Sequence, residues 1–320
     1  MKISVVIPIY NEEENVVLLY NELIGVLKSM DNSYEILFID DGSTDTTLSI
    51  LQTIQASDPN VVVVKFRRNF GQTAAMSAGF DYSTGDVIIT MDGDLQNDPQ
   101  DIPRFIEKIE DGFDVVTGWR HDRKDPFLNR RLPSIIANKI ISWTTGVALH
   151  DYGCTLKAFR REVIKNIRLY GEMHRFIPAI ASGMGISFTE IKVNHRARRF
   201  GSSKYGISRT IRVVLDLITV KFLLSYATRP IQIFGLLGVI SGTAGFLIAL
   251  IMTIQRQFFD IPLSDRPLLL LAIVLIFIGI QFVSIGLIGE LQARTYHETQ
   301  KKPVYYVKEV YGGQQTDPDV

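Results

Sequence analysis

One cysteine, Cys154, in 320 residues excludes an internal disulfide framework. The chain has no excess of charge: 34 Lys and Arg balance 34 Asp and Glu. That balance argues against a partner such as nucleic acid, which a basic surface would attract. No G-x-G-x-x-G follows the first strand-like run, and no G-x-x-x-x-G-K-[ST] occurs anywhere, which disfavours dinucleotide oxidoreductases and P-loop nucleotide hydrolases. There is no internal repeat and no low-complexity tract. With 46% apolar and 21% charged residues the chain is not a disordered one. Its length suits about two domains.

Charge is missing altogether from two stretches, Pro230 to Gln255 and Pro267 to Gly289. Twenty-odd helical residues reach roughly 30–35 Å, the thickness of a hydrocarbon core. Buried helices of soluble proteins are rarely uncharged for so long, so residues 230–255 and 267–289 are expected to be transmembrane helices joined by an external loop, 256–266. The first residues are not expected to act as a signal peptide, because Lys2 leads at once into a strand-like run. Basic residues set the orientation. Arg196, Arg198, Arg199, Lys204, Arg209, Arg212, Lys221 and Arg229 precede the first span against one acid, Asp216, and Arg294, Lys301 and Lys302 follow the second. The loop holds only Arg256 and Arg266, opposed by Asp260 and Asp265. Both termini are therefore expected on the cytoplasmic side of a cell membrane. Ile211, Val214, Leu215, Ile218, Phe222 and Leu223 recur at helical spacing, so 208–229 reads as an interfacial amphipathic helix. Gly238 and Gly242 form a small-xxx-small pair suited to close helix packing.

Residues 1–207 read differently. Ile3–Ile9, Glu35–Ile39, Val61–Phe66 and Asp86–Met91 are short β-branched runs, separated by the helical patterns Glu12–Met30, Thr44–Ser57 and Gln72–Tyr82. This alternation predicts right-handed βαβ units and a mostly parallel sheet in an α/β, Rossmann-like domain. Such sheets bind ligands at the carboxyl ends of their strands. Polar clusters stand at those ends: Tyr10 to Glu12, Asp40 to Asp45, and Asp92 to Gln96.

Asp92-Gly93-Asp94 puts two carboxylates around a glycine that lets the backbone turn tightly. Like charges so close repel unless a cation lies between them. Hard oxygens select Mg²⁺ or Mn²⁺, which also bind diphosphate, and Gln96 adds a further oxygen. An acidic turn without a metal would carry the same residues. In Asp40-Asp41-Gly42-Ser43-Thr44-Asp45, Ser43 or Thr44 is expected to cap the following helix. Capping does not account for the two acids before it, which suit a base N–H or a ribose hydroxyl. Four of the nine residues 196–204 are basic. They fit anionic headgroups, the phosphate of a lipid substrate, or both.

Taken in order, these motifs resemble glycosyltransferase family 2, with its GT-A fold, and within it the polyprenyl-phosphate glycosyltransferases. The resemblance rests on Val5 to Glu12, Asp40 to Asp45, Asp92 to Gln96, Gly118-Trp119-Arg120, Arg130 through Ser134, and Arg198 to Lys204. It covers nearly the whole chain and is strongest to bacterial two-span glucosyl transferases. The resemblance implies that Pro8, Tyr10, Glu12, Asp40 and Asp41 hold the nucleoside. Asp92, Asp94 and Gln96 would hold Mg²⁺ or Mn²⁺, and Arg120, Arg130, Ser134, Arg198, Ser203 and Lys204 the lipid phosphate or diphosphate. Asp92, Asp94, Arg120 and Asp151 are the implied catalytic set, with Asp151 orienting the sugar or an arginine.

The reaction so implied is inverting transfer of a hexose, first glucose from UDP-glucose, to undecaprenyl or a similar polyprenyl phosphate. UDP-GlcNAc, GDP-mannose or a UDP-arabinose derivative are the alternative donors, and a non-catalytic nucleotide-binding membrane scaffold is the alternative of another class. An ionised phosphate acceptor needs no general base. Among His121, His150, His174, His195 and His297 no catalytic arrangement of a histidine with a carboxylate is evident. The absence of a Q-x-x-R-W element and the small number of spans argue against a processive polysaccharide synthase. The segment Lys302 to Tyr311 alternates enough to form a strand within the 290–320 tail, pairing with a neighbouring subunit or with its own domain. A homo-oligomer is expected.

Overall fold

The structure is a computed structural model. It describes residues 1–121, 142, 147, 149–165, 167, 177–182, 185–197, 231–259, 262, 267–299 and 305–313. Eight strands form one sheet: β1 (Lys2–Ile9), β2 (Ser33–Asp40), β3 (Val61–Phe66), β4 (Val87–Thr90), β5 (Val115–Trp119), β6 (Lys157–Arg160), β7 (Phe188–Lys192) and β8 (Val307–Tyr311). Their order is β7-β5-β6-β4-β1-β2-β3-β8. The strands β4, β1, β2 and β3 are mutually parallel, as are β5 and β7, whereas β6 and β8 run against their neighbours. The sheet is thus mostly parallel, as the alternating pattern predicts.

Period-two alternation sends side chains to two apolar layers. Ile3, Val5, Ile7, Ile36, Phe38, Val63 and Ile89 are buried on one face. There they meet Leu19 and Leu23 of α1 (Val16–Lys28), Leu51 of α2 (Thr47–Ser57) and Phe105 of α4 (Ile102–Glu110). Val6, Leu37, Ile39, Val64 and Ile88 bury on the other, against Ala75 and Ala78 of α3 (Gln72–Tyr82). Two short helices, α5 (Arg161–Lys165) and α6 (Ile177–Ser182), contribute Val163 and Ile177 to that second layer.

Two expected helix starts are later than the periodicity suggests. The helix predicted from Glu12 begins at Val16, and the one predicted from Thr44 begins at Thr47. Residues 11–15 and 43–46 are used on each other instead. Asn11 accepts from the Thr44 amide at 2.8 Å and donates its own amide to Ser43 Oγ at 3.0 Å, and the Glu12 amide donates to Thr47 Oγ1 at 2.9 Å. Neither Ser43 nor Thr44 caps α2; the Thr47 amide donates to Asp45 Oδ1. A helical turn at either place would break this cross-loop lacing.

The C-terminal strand pairs antiparallel with β3 of its own domain, Val64 opposite Val310. Tyr305, just before it, stacks on Phe66 with centroids 5.1 Å apart and donates its hydroxyl to Asp81. The described residues fall into two compact units, one holding the sheet with β8, the other a helical pair. That pair is α7 (Ile231–Phe259) and α8 (Pro267–Thr299). Its apolar segments, Phe234–Phe259 and Pro267–Gly289, have mean hydropathies of 2.2 and 2.9 and bury only 11% of their most apolar windows. Length, composition and exposed apolar surface together suit a bilayer. Both helices outrun the uncharged stretches, α7 through Arg256 and α8 through Glu290 and Arg294, because Glu, Gln, Ala and Arg are good helix formers. The glycines lie where the pair touches: a Cβ on Gly238 would come within 2.7 Å of the Gly279 carbonyl. The 208–229 segment lies outside the described residues.

Candidate active site

The carboxyl ends of β1, β2, β3, β4, β5 and β7 share one edge of the sheet. Because β6 runs the other way, the residues before it, Asp151 to Thr155, reach that same edge. The topology therefore gathers five loops from distant parts of the chain.

The first two are Pro8–Glu12 and Asp40–Asp45, laced as described. Gly42 sits at φ 73°, and a Cβ there would be 2.6 Å from the Arg68 carbonyl carbon, so only glycine lets the Asp40–Asp45 loop approach the loop between β3 and α3. Asp40 is fully buried. Its Oδ1 accepts from the Ser43 amide at 3.2 Å, while Oδ2 is buried with no hydrogen-bond partner among the described residues. Burial outweighs the hydrogen bonds from Ser43 and raises its pKa. A buried acceptor left open is costly unless a ligand N–H or O–H completes it. Asp41 uses both oxygens internally, accepting from the Phe70 and Gly71 amides at 2.6 and 2.9 Å. Burial pushes its carboxyl up to about 6 despite those bonds. Asp41 thus fixes the β3–α3 loop in this structure, and any effect on a nucleotide passes through that loop.

The third loop is Met91–Gln96. Asp92 accepts from Gln72 Nε2 at 2.8 Å on one oxygen and from Thr155 Oγ1 at 2.7 Å on the other. Asp94 is buried and accepts from the Gln96 amide at 3.1 Å. Leu95 between them holds a left-handed φ of 62° with its side chain in the core, a strained conformation of the kind found at functional loops. An all-oxygen set with two carboxylates fits Mg²⁺ or Mn²⁺ completed by diphosphate oxygens and water. Asp92 and Asp94 would hold the ion. The Gln96 amide group also donates to the Arg196 carbonyl at 3.4 Å.

The fourth and fifth loops bring Arg120 and Asp151 together. The pair is bidentate, Nε to Oδ2 at 2.7 Å and Nη2 to Oδ1 at 2.9 Å. Asp151 is 2% exposed and also accepts from the Gly153 amide. Burial alone would lower the Arg120 pKa, but the bonds to Asp151 outweigh it and hold the guanidinium above its ordinary value. Asp92 adds to that stabilisation, so the cation and the acidic loop share one field. Of the two roles weighed for Asp151, this geometry is that of orienting an arginine. Arg130, Ser134, Arg198, Ser203 and Lys204 lie outside the described residues.

Several participants have no signature in the sequence. Gln72 and Thr155 are ordinary polar residues until the fold aims them at Asp92. Glu190 accepts from the His150 amide at 2.9 Å and meets His150 Nδ1 at 2.8 Å, so one histidine does lie beside a carboxylate. Forty residues separate the two, which hides the pair from a linear reading. Cys154 is buried, and burial pushes its thiol up to about 11, so no thiolate nucleophile exists at neutral pH.

The comparisons agree with this architecture. Residues 4–168 match the model of the family described as glycosyl transferase family 2. The chain is 42% identical over 318 residues to a dodecaprenyl-phosphate galacturonate synthase of Rhizobium johnstonii, with 98% of this chain and 94% of that protein covered. It is 38% identical to an undecaprenyl-phosphate 4-deoxy-4-formamido-L-arabinose transferase of Photorhabdus laumondii, with 99% and 96% covered. Among solved structures, glucosyl-3-phosphoglycerate synthase of Mycobacterium tuberculosis, in complex with Mn²⁺, UDP and its product, superposes with a TM-score of 0.54. That match has 17% identity and covers 70% of this chain and 79% of that one, a likeness of fold. Full-length relatives that are synthases and transferases set aside the non-catalytic scaffold. Glucose finds no support in these two relatives, whose names specify other sugars. The chain belongs to glycosyl transferase family 2, among its polyprenyl-phosphate glycosyltransferases.

Proposed function

We propose that this enzyme transfers a modified sugar from a uridine diphosphate carrier to the phosphate of a polyprenyl phosphate at the membrane surface, with inversion at the anomeric carbon. The two relatives support a sugar of the galacturonate or 4-deoxy-4-formamido-arabinose kind. The observation that carries the reading is the meeting of Asp92, Asp94 and the Arg120–Asp151 pair at one sheet edge.

Asp40, with its open buried oxygen, accepts a hydrogen bond from the base. Pro8, Tyr10 and Glu12 line the same strand end. A divalent ion, when bound at Asp92 and Asp94, neutralises charge on the departing diphosphate. Arg120 is held rigid by Asp151 and offers its remaining N–H to a phosphate oxygen. The acceptor phosphate is already ionised and attacks without losing a proton, so no residue serves as general base. Positioning and electrostatics supply the rate acceleration. Arg130, Ser134, Arg198, Ser203 and Lys204 are proposed contacts of the lipid phosphate, and the two apolar helices keep the prenyl tail in the bilayer.

Replacing Asp94 tests the reading. Asp94→Ala is expected to abolish transfer of radiolabelled sugar to polyprenyl phosphate and to remove the Mn²⁺ dependence of UDP binding by calorimetry, with the thermal unfolding transition retained. Transfer at the wild-type rate in the purified variant would overturn it.

A further inference from the structure

A cavity of about 530 Å³ opens beyond the carboxyl end of β7, lined by His121, Lys192, Val193, His195 and Arg196 among others. Its wall is tied to the acidic loop. His195 bridges Asn97, and the Arg196 amide donates to the Gln96 carbonyl at 3.0 Å. The cavity's lining is thus bonded to the loop proposed to hold the diphosphate, which makes the cavity a candidate seat for the attached sugar.

The cations lining it are not equivalent. Arg196 is already committed, with Glu22 at 2.5 Å and Asp98 at 2.7 Å. Lys192 makes no ion pair among the described residues. Its ammonium stands 5.4 Å from the centroid of the Trp119 ring, and the indole is itself held by stacking on His150 at 4.2 Å and by the edge of His121 at 4.8 Å. Trp119 so keeps a charged head at the cavity wall without neutralising it. The chemistry derived above makes no use of this charge.

We propose that Lys192 is a specificity-determining residue that receives the carboxylate of an acidic donor sugar, a hexuronate. The inference rests on the reading of the chain as a sugar-nucleotide transferase and names the class of sugar. A phosphomonoester or diphosphate draws the planar fork of a guanidinium, and the fork in this wall is occupied by two carboxylates. A single compact ammonium suits a singly charged group. A neutral hexose with a hydroxymethyl in place of the carboxylate leaves that ammonium without its anion, and discrimination follows from the difference.

The test compares UDP-galacturonate with UDP-galactose, which differ only at that carbon, on the intact wild type and on Lys192→Gln. Binding is measured by calorimetry with Mn²⁺, and transfer by label incorporation into polyprenyl phosphate. The wild type is expected to favour the acid in binding and in kcat/KM, and Lys192→Gln to lower the acid-to-neutral ratio by about tenfold, the usual worth of a hydrogen bond to a charged group. A merely structural role would weaken both donors together and leave the ratio unchanged, which overturns the proposal. So does a wild type that favours the neutral donor, or a variant whose only change is a raised KM for the polyprenyl phosphate. Selective binding of the acid without transfer to the lipid upholds the assignment of Lys192 and refutes the reaction instead.

Discussion

At the scale of single residues, the bidentate bond to Asp151 fixes Arg120, the cation proposed to meet a phosphate oxygen. A guanidinium in a half-buried site is costly to desolvate, and removing its partner leaves that cost uncompensated. Asp151→Asn keeps the shape and removes the charge, so it is expected to lower stability by about 3 kcal/mol. It should also lower kcat more than the donor KM, because an unoriented Arg120 still meets the ground state. Asp151→Glu should restore part of kcat if its carboxylate again spans both nitrogens. Denaturant midpoints and steady-state kinetics on the three proteins check this, and equal kcat values in all three would refute the positioning role. The local acids were legible in the sequence because Asp92-Gly93-Asp94 and Asp40-Asp41 are contiguous and end strands. The partners that finish the site were not. Thr155 lies 63 positions from Asp92, whereas Asp151, 31 positions from Arg120, was signalled only by the family resemblance. Only the fold makes such distances short, and nothing about a lone Thr or Gln signals a contact.

At the scale of elements, β1 to β4 and α1 to α3 follow from apolar periodicity, with Val61–Phe66 and Gln72–Tyr82 at their expected limits. The strands β5, β6 and β7 escape that reading because each is only four or five residues long, and polar residues interrupt them: Lys157 in β6, Thr189 and Glu190 in β7. The tail strand was legible from alternation, but its partner was not, since backbone edges pair with any edge of matching register. Its anchor is Tyr305, 6% exposed against Phe66. Tyr305→Phe retains the ring stack and loses the bond to Asp81, for an expected cost of about 1–2 kcal/mol. Tyr305→Ala empties the site and is expected to cost about 3–5 kcal/mol. Beyond lost stability, a loosened β8 uncovers β3 as an edge, so the alanine variant should aggregate on mild heating where the phenylalanine variant does not. Light scattering during a thermal ramp separates the two, and identical curves would show that β8 contributes little to closing the sheet.

At the scale of the whole molecule, chain order constrains the membrane arrangement. The sheet contains β1 at the start of the chain and β8 near its end, and the two apolar helices lie between β7 and β8. A single folded sheet cannot be divided by a bilayer. If α7 and α8 both cross, the segments entering the first and leaving the second must emerge on the same side. We propose, from the excess of Lys and Arg in those two segments against the balanced loop between them, that this side is cytoplasmic. The prediction is read with cysteine reporters in a chain whose buried Cys154 has been replaced by Ala. Pro262→Cys, between the helices, is expected to react with a membrane-impermeant maleimide in intact cells. Glu309→Cys, an exposed position on β8, is expected to react only after the cells are permeabilised. Labelling of both in intact cells would mean that the sheet lies outside, where no cytoplasmic pool of nucleotide-activated sugar could supply the site.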